Sequence, residues 1–177
     1  MTMQHVAAAM ERVASALQRR PAMGLHDDAP ATASWQGATR VVVGHGNGTE
    51  VPTDMPTELG GTGDLITPGW LFRAGLASCA ATSIALMAAA QGIELRTLEV
   101  KVRSRSDTRG LLGLVDESGA SVPAGPSDMQ MSVRIGAAGV APERLRSLVE
   151  AGCRCSPVPN AVRQATPLAL HVDVEAH

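Results

Sequence analysis

Aromatic residues are almost missing from this chain: among 177 residues there is no Tyr, one Phe and two Trp. Without aromatic platforms, sequence-tolerant stacking of single-stranded bases is a poor fit. A surplus of positive charge is missing too. The net charge is −2 and no basic block occurs, so the electrostatic footprint of a nucleic-acid binder is lacking. The opening stretch "MTMQHVAAAMERVASALQRR" lacks a secretory apolar centre, because Glu11 and Arg12 sit where that centre would be. Cysteine is scarce, with three residues in all. Three cysteines and no export signal argue against a disulfide framework. They favour a reduced, cytoplasmic setting in which any disulfide is transient and catalytic.

What is present is aliphatic. Apolar residues make up 45% of the chain, enough for the core of one ordinary domain. Residues 3–19 read as an amphipathic helix, with Val6, Met10, Val13 and Leu17 on one face and Pro21 as the stop. The expected organisation is an N-terminal helical appendage, residues 1–23, and one domain over 24–177. A linker, "GLHDDAPA", leads to a hairpin with strands around Ala31–Gln36 and Thr39–Gly44, and then to a long loop over 52–67.

Thr67 and Pro68 supply an N-cap and a first-turn proline for an alanine-rich helix that Gly92 closes. Its Leu71–Ala90 run has about the length of a membrane span. Arg73, Ser78, Thr82 and Ser83 interrupt that run, so the expectation is the buried helix of a soluble domain, with no membrane partner.

Three alternating runs follow. Leu98, Val100 and Val102 alternate with charged residues; Met129, Met131, Val133 and Ile135 alternate with polar ones; Leu168, Leu170, Val172 and Val174 form the third oily face. Such runs predict an antiparallel sheet with one solvated face. Between the last two, Pro142 opens a short helix with Leu145, Leu148 and Val149 inward and Gly152 at its end. A second short helix starts after Cys155, with Ser156 as N-cap and Pro157 first. The fold class is α+β, an antiparallel sheet wrapped around a long apolar central helix. That helix is apolar nearly all round, so one sheet face cannot cover it. A symmetric partner is the economical source of a second layer, and an intertwined homodimer is expected.

Cys79 lies in "LFRAGLASCAATSIALMAAAQG", where by itself it reads as core filler. Cys155 precedes a helix start, a place that favours a thiolate. Arg40, Arg73 and Arg163 are the cations available to Cys79. Cys153 and Cys155 form a C-x-C pair, but His5, His26, His45, His171 and His177 are scattered, so a four-ligand zinc site would need distant segments. No metal and no cofactor are assigned.

"TPGWLFRAGLASCAATSIALMAAAQGI" resembles the OsmC/Ohr signature, a proline-led helix with a small-small-Cys segment in its first half. "CSPVPNAV", Cys155 to Val162, resembles that family's second signature, and "DTRGLLGL" is similar to its hairpin. The resemblance runs from Ala31 to Ala176. It implies an OsmC-like fold and a thiol-dependent peroxidase that reduces organic hydroperoxides in oxidative stress defence. Cys79 would be the peroxidatic thiolate, Cys155 the resolving thiol, and an external dithiol the reductant. Family members also use a hairpin arginine, best matched by Arg40, and a glutamate two positions after the helix-opening proline. Trp70 stands at that position here, and Glu58 and Asp64 in the preceding loop are the candidate substitutes. The alternative is a non-catalytic family member that binds a small apolar ligand or a thiol conjugate in the dimer pocket.

Overall fold

The Thr2 hydroxyl accepts from the His5 amide and starts the first helix, α1 (Met3–Arg19), in the computed structural model, which describes residues 2–175. Met1, Ala176 and His177, which the sequence reading includes, lie outside the described residues. Pro21 cannot continue the helix, and a single 3₁₀ turn over Pro21–Gly24 follows.

The expected hairpin is β1 (Ala31–Gly37) and β2 (Arg40–His45), paired antiparallel. A third strand, β3 (Glu50–Thr53), pairs antiparallel with β2 inside what the sequence presents as turn and loop. It is four residues long and contains Pro52, and shortness and proline both hide a strand from pattern reading. Thr53 also bridges to Ile66, which brings the end of this sheet to the start of the central helix.

That helix, α2, spans Pro68–Ala90. Thr67 Oγ1 accepts from the Trp70 amide, Pro68 fills the first turn, and Gly92 follows the C-cap at φ +64°. All three signals read in the sequence are therefore used. Length and composition would let α2 cross a membrane, but here α1 and three later elements pack against it: β4 (Leu95–Arg105), α4 (Pro142–Arg154) and α5 (Pro157–Arg163). Leu76, Ala80, Ile84 and Ala88, spaced by four, form its buried stripe. Ala88 packs with Ile93, Leu145 and Leu148 in the core, and Met3 of α1 packs against that cluster. The apolar face read for α1, Val6 to Leu17, borders a groove that Leu86 of α2 also lines.

β4 pairs antiparallel with β5 (Ser127–Ala137), joined through a single-turn helix, α3 (Thr108–Leu111). Alternation holds on both strands. Leu98, Val100 and Val102 oppose Ile135, Val133 and Met131 on the inner face, and Glu99 opposes Arg134 outside with a 2.6 Å ion pair. This is the expected α+β arrangement of antiparallel sheet and long apolar helix.

Two sequence expectations are corrected. The third alternating run, Leu168–Glu175, is not a strand; Leu168 and Val174 are 96% and 87% exposed. Alternation decides which side chains share a face, but a strand also needs a neighbouring edge, and among the described residues β4 and β5 pair only with each other. Gly152 does not end α4, which continues to Arg154. It is a contact glycine instead: a Cβ there would stand 2.7 Å from Ile84 Cα, so only glycine lets α4 lie this close to α2.

Candidate active site

Cys79 sits in the fourth turn of α2, half-buried, one position before the buried Ala80. The corner between α4 and α5 closes over it. Cys155 caps α4, its amide donating to Ala151 and Gly152 carbonyls, and Pro157 opens α5 two residues later. The corner is latched by Asn160, whose Nδ2 donates to Arg154 O at 2.7 Å and to Ser156 O at 2.9 Å. Its result is a contact across 77 residues of chain: Ser156 Oγ donates to Cys79 Sγ at 3.2 Å. The Val158 amide donates to the same sulfur at 3.4 Å.

Ser156 takes the N-cap position read from the sequence but makes no cap hydrogen bond. Its side chain turns to Cys79 instead and is fully buried. Its direct contact with the sulfur, and the Asn160 latch, were missed by sequence reasoning. An Asn inside a seven-residue helix is a signal that could have been used, because Asn side chains compete for backbone groups.

All three cysteines are free thiols. Cys155 is exposed at the corner next to Ser156, and Cys153 is half-buried in the last turn of α4. Burial pushes the Cys153 thiol up from its ordinary range, against the opposing pull of the Arg163 guanidinium.

Arg40 is not brought to Cys79. Its Nη2 donates to Thr62 Oγ1 at 3.0 Å and to Asp64 Oδ1 at 2.9 Å, and lies 3.6 Å from Asp54 Oδ2. Asp64, one of the two loop carboxylates considered in the sequence, is therefore the arginine's ion-pair partner. Asp54 is 2% exposed and accepts from Thr39 Oγ1 at 2.6 Å, from the Thr62 amide and hydroxyl, and from the Met55 amide. Those donors, the Thr39 hydroxyl foremost, hold its carboxyl far below the usual carboxylate range. This network rivets the 54–64 loop beside the start of α2. Cys79 lies about 16 Å further along the axis, at about 1.5 Å per residue. Arg73 Nη1 reaches Ser104 Oγ at 3.4 Å.

Besides the groove at Leu86, two cavities border the first half of α2. One of about 300 Å³ lies between Leu76, Val102, Met131, Pro159 and Val162, with Arg163 at its edge. Leu76 is one turn from Cys79, and Pro159 follows the residue whose amide touches the sulfur. The other, about 590 Å³, is bounded by Met55, Leu59, Phe72 and Leu111, with Arg73 as its cation.

A half-buried thiol that accepts from two donors is a setting in which a sulfur can act as a nucleophile. The OsmC-like protein family model matches residues 61–171, which include α2, both strands of the second sheet and the Cys155 corner. The chain belongs to the OsmC-like protein family. Solved structures of the family share its fold. An OsmC-like protein from Mycoplasma pneumoniae superposes with a TM-score of 0.64 at 16% identity, over 78% of this chain and 89% of its own. The organic hydroperoxide resistance protein OsmC of Legionella pneumophila gives 0.56 at 23% identity, over 78% and 91%. An organic hydroperoxide resistance protein from Vibrio cholerae, with captopril bound in one of its active sites, gives 0.53 at 23%, over 78% and 88%. No curated protein matches the chain in sequence.

Proposed function

We propose that this OsmC-like protein is a cytoplasmic thiol-dependent peroxidase that reduces organic hydroperoxides in oxidative stress defence. The observation that carries the reading is the setting of Cys79: a half-buried sulfur that accepts from two donors, at the corner bearing Cys155. The Cys79 thiolate attacks the distal oxygen of the hydroperoxide. The O–O bond breaks, a proton joins the leaving alkoxide to give the alcohol, and Cys79 becomes a sulfenic acid. The Cys155 thiol attacks that sulfur, water leaves, and a disulfide forms. An external dithiol returns both cysteines to thiols and is itself oxidised to a disulfide. The cavity beside Leu76 and Pro159, with its aliphatic side chains and with Gln130 and Arg163 in its lining, is the proposed place for the organic part of the substrate. Arg40, paired with Asp64 at the loop leading into α2, is the candidate helper residue.

The proposed working unit is a homodimer. Trp70, Phe72 and Leu86 of α2 remain exposed, as do residues Ala31–Gln36 of β1 and the whole of 167–175. A second copy would cover these surfaces and offer the alternating Leu168–Val174 face a sheet edge.

One equivalent of tert-butyl hydroperoxide added to the reduced protein tests the chemistry, with disulfides mapped by mass spectrometry. A Cys79–Cys155 link that Cys79→Ser abolishes is the expected result. Thiols that stay free in excess peroxide overturn the reading. They would favour a non-catalytic protein that binds a small apolar ligand or a thiol conjugate. That second reading draws on Trp70, which stands where family members carry the glutamate, and on the 590 Å³ cavity near it.

A further inference from the structure

Three facts converge on one hydroxyl. Ser156 occupies a helix-capping position and makes no cap bond. Its Oγ is fully buried, and the hydrogen-bond partner of that oxygen is Cys79 Sγ. Its backbone is clamped, because the Ser156 carbonyl accepts from both the amide and the side chain of Asn160. A capping hydroxyl would normally accept from the helix amides, a favourable use worth keeping. Here the local sequence gives that up and aims the hydroxyl proton at sulfur.

The expected cation is committed elsewhere, to Asp64, Asp54 and Thr62. The groups that touch the Cys79 sulfur are neutral donors, the Ser156 hydroxyl and the Val158 amide. A hydrogen bond to an ionised acceptor is about twice as strong as one to a neutral acceptor. A donor fixed on the sulfur therefore stabilises the negative charge that an attacking sulfur nucleophile carries.

We propose that Ser156 belongs to the reactive centre: its hydroxyl donates to Cys79 Sγ and activates that sulfur as a nucleophile, with Asn160 as the positioning residue that aims it. The peroxidase reading makes this activation useful for peroxide attack, and the inference rests on that reading for its purpose. Its physical content stands apart, since activation applies to any electrophile.

The test uses the full chain with Cys153→Ser and Cys155→Ser, so that Cys79 is the sole thiol. Two readouts are taken at neutral pH: the rate of alkylation by iodoacetamide, and the near-ultraviolet absorbance of the thiolate. Ser156→Ala is expected to slow alkylation about tenfold, the effect of losing one hydrogen bond to a charged group, and to lower the thiolate absorbance. Ser156→Thr, which restores a hydroxyl, is expected to recover both. Asn160→Ala, which leaves the hydroxyl in place, is expected to slow alkylation by about threefold. It keeps the proposal testable if Ser156→Ala folds poorly. Equal rates and absorbance in all variants overturn the proposal. So does a slower rate with unchanged absorbance and no rescue by Thr, because that pattern marks altered access. The same variants are then given tert-butyl hydroperoxide. Alkylation that depends on Ser156 while no peroxide is consumed upholds the inference and overturns the peroxidase reading.

Discussion

Arg40 and Asp64 stand 2.9 Å apart, joining a strand of the first sheet to the loop that leads into the central helix. The Thr62 amide donates to the buried Asp54, and the single hydroxyl proton of Thr62 lies between Asp54 and Asp64 while its oxygen accepts from Arg40, so two carboxylates and one guanidinium converge on one hydroxyl. The ion pair itself is half-exposed and contributes little by Coulomb attraction. What the network supplies is position: it fixes the loop that lines the cavity at Met55 and Leu59.

Acid should weaken the hold on this loop. Asp54 and Asp64 are both lowered, Asp54 chiefly by the Thr39 hydroxyl and Asp64 chiefly by the Thr62 hydroxyl. Depressed carboxyls contribute stability that is complete above the unfolded value, about 3.9, and is lost as pH falls through the folded value. Stability is therefore expected to decline as pH drops below about 4. Thr39→Val removes the leading donor to Asp54 and narrows the gap between its folded and unfolded values, while the Thr62 and Met55 donors stay in place. The variant should melt lower at neutral pH and show a flatter decline in acid. Thermal melts over a pH series check both.

The α2–α4 contact sets a second expectation. A Cβ on Gly152 would meet Ile84 Cα at 2.7 Å and Ile84 N at 3.0 Å, which are backbone atoms that cannot rotate away. Gly152→Ala should cost about 1–3 kcal/mol, the usual range for overpacking. Denaturant melts measure the loss. Because α4 carries the corner beside Cys79, the same variant should also alter Cys79 alkylation.

Much of this was legible in the sequence, and the rest failed for definable reasons. Thr67, Pro68 and Gly92 delimit α2 because caps act locally, within a turn of the residue that makes them. The Leu98 and Val133 runs were readable because each strand has a partner in the same chain. The Leu168 run has the same pattern and no partner, so its periodicity alone misled. Gly152 resembles a helix terminator in sequence, while its reason is Ile84, 68 positions away. The site divides in the same manner. Cys79 and Cys155 were singled out by their resemblance to a family signature, since Cys79 by itself reads as core filler, and Asp64 was one of two open choices for Arg40. The Ser156 contact depends on how two helices meet, which no local pattern encodes.

Cys153 should be the slow thiol of its pair. Burial raises it and Arg163 partly offsets that rise. A raised thiol stays protonated at neutral pH, and the thiol is the unreactive form. With Cys79→Ser and Cys155→Ser in place, alkylation of Cys153 should need alkaline pH. Arg163→Gln should move the midpoint of that profile further up. A midpoint that falls would show that the guanidinium does not act on this sulfur.

The Ser156 oxygen also works as a ruler. It lies 3.2 Å from Cys79 Sγ, so a sulfur in its place would be within easy reach of a disulfide bond of about 2.05 Å. Ser156→Cys, made with Cys153→Ser and Cys155→Ser, should form a link to Cys79 under mild oxidation, detected as a loss of two free thiols and a cross-linked peptide. Absence of the link would mean that the corner does not hold its observed place in solution.

Residues 167–175 give the last expectation. Their alternating side chains, Leu168, Leu170, Val172 and Val174, are exposed along with β1, and a single chain has nothing to lay over either. Burial of four such side chains could supply several kcal/mol, at about 1.5–3 kcal/mol each before ordering costs. Sedimentation equilibrium should therefore find twice the 18.3 kDa chain mass. Leu170→Asp with Val172→Asp tests the segment without shortening the chain. Leu170 and Val172 are 85% and 71% exposed in the single chain, so their replacement should leave the monomer's melting nearly unchanged while shifting mass toward one copy. Val172→Ile, which keeps the apolar face, should stay dimeric. A wild-type protein that sediments as one copy at every concentration would remove the basis for the homodimer. It would leave the Cys79–Ser156 contact, made within one chain, unaffected.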